Sequence, residues 1–146
     1  MTSDLNRLVK QTLVENSEEM ITEIERLIDE DGVGVAAKIG RTQFEAIMKN
    51  ASHASCVSEL CLFISYQESK RQGWDTICRS EKVPKSRRSV AENVIGSMNT
   101  VVDKIYNKIK GDDALSDERD IRRVKIQIAE KYLGYLYWKI TVISQR

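Results

Sequence analysis

An all-α fold, a compact bundle of about five helices, is what this sequence predicts, and three observations carry it. Apolar residues recur at three- and four-residue intervals along most of the chain, the period of one helix face. Charged residues make up 31% of the chain and proline occurs once, a balance that suits helices and disfavours sandwiches, barrels and disordered tails. Capping signatures and glycines fall where the periodic segments begin and end. With 146 residues, 41% of them hydrophobic, the chain can bury a real core, so residues 1–146 are expected to form a single helical domain.

The elements follow in order. Leu5, Leu8, Val9 and Leu13, then Met20, Ile21, Ile24, Leu27 and Ile28, predict one long amphipathic helix, or two with a joint near Asn16 and Ser17. Glu18, Glu19, Glu23, Glu25 and Glu30 fill its other side, and Gly32 and Gly34 end it. Thr42 and Glu45 have the spacing of a capping box, which starts a short helix at Thr42 that buries Phe44, Ile47 and Met48 and turns at Asn50 to Ser52. In the next segment Val57, Leu60, Cys61 and Ile64 share a stripe, while Leu62, Phe63 and Tyr66 occupy the remaining side. A helix apolar nearly all round is central or shares a second face with a partner, and this one is expected to be the core helix.

Periodicity fades over 70–88, where seven basic residues stand against Asp75 and Glu81. So long a connection is unusual in a small domain, which argues for a function or for a short helix around Trp74 to Arg79. Pro84 pushes Val83 out of helical angles. Ser89 and Glu92 make a second capping box, opening a helix on Val94, Met98, Val101, Val102, Ile105 and Ile109 that stops at Gly111. After a polar turn, Ile121, Val124, Ile128, Tyr132, Tyr135, Leu136 and Ile143 run through a C-terminal helix, with Leu133, Tyr137 and Ile140 off that stripe.

Charge is distributed unevenly. Residues 1–31 hold three basic side chains against nine acidic ones, a net of −6, and the rest of the chain carries twenty against thirteen, a net of +7. Such a split suits head-to-tail self-association or one face turned to a polyanion; two solvated faces of opposite sign are the plainer account. The start of the chain has no signal-like apolar run and no stretch approaches a membrane span, so a cytoplasmic protein without membrane contact is expected. Cys56, Cys61 and Cys78 lack metal-ligand spacing and read as reduced thiols, with Cys61 in the core.

Catalytic chemistry finds little support. His53 is the sole histidine and is expected at a helix start in a turn or capping role, no Ser-His-Asp set can be assembled, and no phosphate loop is present. No enzyme, metal or cofactor is expected. Clustered cations point instead to a nucleic-acid backbone, which rewards Lys and Arg whatever the base sequence. The clusters are Lys70, Arg71 and Arg79; Lys82, Lys85, Arg87 and Arg88; and Arg119, Arg122, Arg123 and Lys125. Tyr66 and Trp74 either stack on bases or belong to the core. The ending AEKYLGYLYWKI faces tyrosines and Trp138 to different sides, which favours self-association.

Three stretches together resemble the small helical subunit of type III CRISPR effector complexes: RTQFEAIMKN at 41–50, similar to that family's Thr-Gln helix start; SELCLFISYQESKR, a Leu/Tyr run closing on basic residues; and the aromatic AEKYLGYLYWKI. Where the family carries basic residues after Thr-Gln, this chain has Glu45, so contacts there would pass to Lys38, Arg41 and Lys49. The resemblance implies a non-catalytic antiviral-defence subunit that stacks in head-to-tail copies with other effector subunits and holds guide RNA and a target RNA or DNA strand through backbone contacts, while base pairing supplies specificity. The alternative is a helical adaptor or regulatory bundle that binds another protein and no nucleic acid.

Overall fold

Two long antiparallel helices set the frame. In the computed structural model, which describes residues 1–39, 41–80, 82, 87–111, 115 and 117–145 and gives Lys38 and Arg41 by backbone alone, α5 (Val90–Lys110) packs along α6 (Glu118–Ser144). Their direction is fixed by pairings: Tyr132 donates its hydroxyl proton to Ser97 Oγ at 2.7 Å, and nearer the connecting turn the Lys125 ammonium lies 4.8 Å from the centre of the Tyr106 ring. Around this pair stand α1 (Ser3–Glu15), α2 (Ser17–Asp29), a 3-10 helix (Val33–Lys38), α3 (Arg41–His53) and α4 (Val57–Ser69). The described residues thus form six α-helices and one 3-10 helix, without a strand, against the five or so helices expected. Both α2 and α4 pack on α5 and α6 but not on each other, so they occupy opposite sides of the central pair.

The first amphipathic stretch is two helices, and Asn16 is the joint. Its amide donates from Nδ2 to the Thr12 carbonyl at 2.7 Å, closing α1, and its Oδ1 accepts from Lys108 Nζ at 2.6 Å, tying the joint to α5. Beyond α2 the chain reverses at Gly32, whose φ of 79° is left-handed and whose missing Cβ leaves room for the Arg79 backbone, which an added Cβ would meet at 2.7 Å. The capping box at α5 forms as the sequence predicts: Ser89 Oγ accepts from the Glu92 amide at 3.1 Å and the Ser89 amide donates to Glu92 at 3.4 Å. Ser89→Ala is expected to lower stability by about 1 kcal/mol, read as an earlier unfolding midpoint by circular dichroism in denaturant.

Several expectations are corrected. α3 begins at Arg41, so Thr42 lies inside its first turn rather than at the cap, and the helix continues through 50–52 to His53. His53 therefore ends a helix instead of starting one. No helix spans Trp74 to Arg79. That segment is an anchored strap: Ile77 bridges Ser89, the Cys78 amide donates to the Arg88 carbonyl at 3.0 Å, and Arg79 donates its amide to Gly32 at 3.3 Å. Trp74 and Cys78 are fully buried beneath it, and the Trp74 ring lies 4.9 Å from that of Phe44. The buried cysteine is Cys78, whereas Cys61 is half-buried and all three thiols are free. Nor is α4 the core helix: it buries Leu60, Ile64 and Gln67, but Leu62 is 72% exposed. The centre belongs to α5 and α6, where Val94, Met98, Ile128, Tyr132 and Leu136 are buried.

Among the described residues no helix is long and apolar enough to cross a membrane. The Val83–Pro84 expectation lies outside the described residues.

Candidate nucleic-acid interface

The first turns of α6 carry Arg119, Arg122 and Arg123, and the connection between α3 and α4 faces them. Between the two lies a cleft of about 440 Å³, lined by these arginines with Ile126, Gln127 and Glu130 on one side and by Ser52 to Ser55 on the other. Local bonding shapes that turn. Ser52 donates its hydroxyl proton to the Lys49 carbonyl at 2.7 Å, and the Ser55 amide donates to Glu59 at 2.7 Å. Cys56, the N-cap of α4, offers no side-chain bond to the amides that follow, and the acid of that first turn is Glu59.

The cleft suits an anion. Arg119 and Arg123 have no ion-pair partner among the described residues, and Arg122 reaches only the exposed Glu118, at 3.7 Å. Its one acidic lining residue, Glu130, is held above the ordinary carboxylate range because burial penalises its charge, an effect that nearby His53 partly offsets. Ser52, already bonded to Lys49, is not aimed at His53, so no hydroxyl–imidazole relay is assembled. The arrangement can bind and orient phosphate, with Ser52 not activated as a nucleophile.

Gln127 and Glu130 also wall a second cavity of about 310 Å³, which α1 completes with Asn6, Val9, Lys10 and Leu13, and α6 with Lys131. The sequence singles out neither Lys10 nor Lys131, and it gives His53 only a turn or capping role. One signal existed: Arg119, Arg123, Gln127 and Lys131 recur every fourth residue, on one face of α6.

No family model, characterised protein or solved structure matches the chain.

Of the fourteen cations expected to hold RNA, the structure gathers Arg119, Arg122 and Arg123 in the cleft and leaves the other described ones elsewhere. Lys125 turns to Tyr106, away from the cleft. Lys49 is exposed one turn before His53. Lys70 lies 4.6 Å from the centre of the Tyr66 ring, and Arg71 follows it with a left-handed φ of 56°. Arg79, Lys82, Arg87 and Arg88 are exposed along the strap at the far end of α5. That helix has 21 residues, so the strap cations stand ~30 Å from the arginine cleft, at 1.5 Å per residue. Lys85 and the side chains of Lys38 and Arg41 lie outside the described residues.

The acidic segment 1–31 does not stand apart from the basic remainder. Glu19 pairs with Lys104 and, at 2.9 Å, with Lys108, and these hydrogen bonds hold its carboxyl below the ordinary range. Lys82 lies 3.9 Å from Glu30. Burial pulls Glu23 upward, yet the bonds from Arg26 and from Ser97, the latter at 2.5 Å, outweigh it and keep the group low. Of the aromatics considered for base stacking, Trp74 is core and Tyr66 is 53% exposed.

Glu130→Gln should raise stability, with a defined pH dependence. A carboxyl raised on folding keeps its proton in the native state while the unfolded chain has lost it, so stability falls as pH rises from the ordinary value of 4.5 through the raised native value. The variant's melting temperature is therefore expected to match the native one below that window and to exceed it above, as differential scanning calorimetry across pH would show.

Proposed function

We propose that this protein is a non-catalytic binder of RNA backbone, acting as a small subunit of a type III CRISPR effector complex, the role implied by its resemblance to that family. The observation that carries the reading is the cleft: three arginines line it against one carboxylate, Glu130, and of the three only Arg122 reaches an acid of the helix's first turn, Glu118. Clustered unpaired cations hold phosphates without reading bases. In this reading guide and target strands are paired by their own bases, cleavage belongs to other cytoplasmic subunits of the complex, and repeated copies multiply a contact that is weak in one copy. The test is to measure binding of single-stranded RNA at two salt concentrations by the purified protein and by the complex that co-purifies with it. Affinity that falls steeply with salt supports the reading, and absence of binding in the assembled complex overturns it.

A second reading, a helical adaptor, is favoured by one feature. Between α2 and α6 an apolar groove of about 280 Å³ is lined by Ile21, Tyr135, Val142 and Trp138, the last 64% exposed. Large apolar side chains grouped in this way mark protein contacts. If Trp138→Ala releases every co-purifying protein while RNA binding is absent throughout, the adaptor reading is the better one.

A further inference from the structure

The arginine cleft does not end at Glu130. Gln127 and Glu130 form one wall of it and, with their other sides, one wall of the second cavity, so the two spaces adjoin along α6. Arg119, Arg123, Gln127 and Lys131 succeed one another at intervals of one helical turn, ~5.4 Å, along this face. From α1, Lys10 projects into the second space opposite Lys131, and Asn6 adds an amide. Across both cavities five cations face one acid. The dividing wall is polar, and its Gln127 Oε1 has no hydrogen-bond partner. An unmade bond at a buried acceptor is destabilising, and the broad terminal torsion of glutamine lets the amide swing toward either cavity.

We propose that the two cavities form one continuous track for single-stranded RNA, in which the second cavity, with Lys10 and Lys131, holds the backbone next to the stretch held by Arg119, Arg122 and Arg123. The inference rests on the RNA-binding reading and extends it to a second subsite. The course follows from the fold: the strand runs alongside α6, from its N-terminal turns toward Lys131, whose ammonium in the free protein lies 5.1 Å from the centre of the Tyr135 ring and swings to the strand on binding. A donor on the sugar or base passing Gln127 meets its unpaired oxygen. Non-specific single-strand sites span about 4–16 nucleotides, and a second subsite is what lets affinity grow over that length.

The experiment is fluorescence anisotropy at low ionic strength with labelled oligo-uridylates of about four and about twelve nucleotides, lengths that bracket such sites. Both Lys10 and Lys131 are exposed, so Lys10→Glu with Lys131→Glu should fold, which a melting curve confirms. The double variant is expected to lose at least ~10-fold on the longer strand and less than ~2-fold on the shorter, with a salt slope shallower by about 1.4, since each single-strand phosphate contact contributes ~0.7. If it binds both lengths as the native protein does, while arginine variants bind neither, the track is wrong and the RNA-binding reading stands. Equal losses at both lengths also overturn it, because the lysines then act as general charge and not as a successive subsite. Native protein that binds neither strand overturns the track, and absence of binding by the assembled complex as well removes the RNA-binding reading with it.

Discussion

With Arg119, Arg122 and Arg123 all changed to glutamate, RNA affinity is expected to fall more than ~100-fold, because three charge-assisted contacts become three repulsive ones. The salt slope carries more information than the loss. Three phosphate contacts on a single strand account for about 2 in the slope of log K against log salt, so a triple change to alanine should flatten the dependence by that amount. All three side chains are exposed, and none supports the core, so circular dichroism and melting temperature should change little. Arg87→Glu with Arg88→Glu is the control. It reverses two charges, against three in the cleft, at the opposite end of α5, and a loss of under ~2-fold is expected, since charges beyond a Debye length of about 10 Å are screened. Comparable losses from the two variants would mean that RNA follows overall charge instead of the cleft.

That control matters because the fold redistributes charge in a way that sums along the chain cannot show. α2 runs back along α5, so Glu19 meets Lys104 and Lys108, and the end of α2 meets the strap at Lys82. A polar chain, from Tyr132 to Ser97 to Glu23 to Arg26, crosses the same packing, and burial pushes the Tyr132 phenol above its ordinary range. The acids that dominate residues 1–31 are thus partly spent within the molecule. At the other end, the start of α6, Arg119 and Arg123 make no ion pair among the described residues, although Asp117, Glu118 and Asp120 share those turns. Electrostatic attraction between successive copies, inferred from the separation of charge along the sequence, therefore has less to act on than the totals imply, whereas the cationic cleft keeps its field.

Local rules recover local structure here. The Ser89–Glu92 box, the stop at Gly111 and the break at Asn16 need only neighbouring residues, and each stands where the sequence puts it. Misreadings occur where tertiary contact decides. Leu62 and Tyr66 look like core residues in a run that is apolar all round, but which side of α4 meets α5 depends on partners distant in sequence, such as Asn99, 38 residues beyond its contact Cys61. Trp74 sits in a polar, cationic stretch that reads as a surface loop, and its burial arises because the strap folds over Phe44 of α3. The site divides in the same way. Arg119, Arg122 and Arg123 are visible as a cluster on one helix, while His53 and Lys10 join them only through packing of α3 and α1 on α6.

Trp74→Ala should be the most destabilising single change in the chain, by about 3–5 kcal/mol, a large share of the 5–15 kcal/mol typical of a domain. The side chain is 0% exposed and stands at the end of a row of aromatic rings, with Phe44 at 4.9 Å and, beyond it, Tyr137 at 6.2 Å from Phe44. The residue's backbone also serves the next helix, since its carbonyl accepts from the Ala91 amide at 3.0 Å. Truncation leaves that bond possible but removes the mass that pins the strap, so the bridge at Ile77 and Ser89 and the start of α5 loosen with it. Indole Nε1 is buried without a partner, which gives the test a second arm: Trp74→Phe deletes an unpaired donor with much of the ring retained, and should cost under ~1.5 kcal/mol. Denaturant unfolding followed by circular dichroism reads both. A Trp74→Ala cost below ~1 kcal/mol, outside the range for a buried large aromatic, would show that the strap is not part of the core. Because the strap and the arginine cleft lie at opposite ends of α5, whatever fraction of Trp74→Ala remains folded should bind RNA as the native protein does.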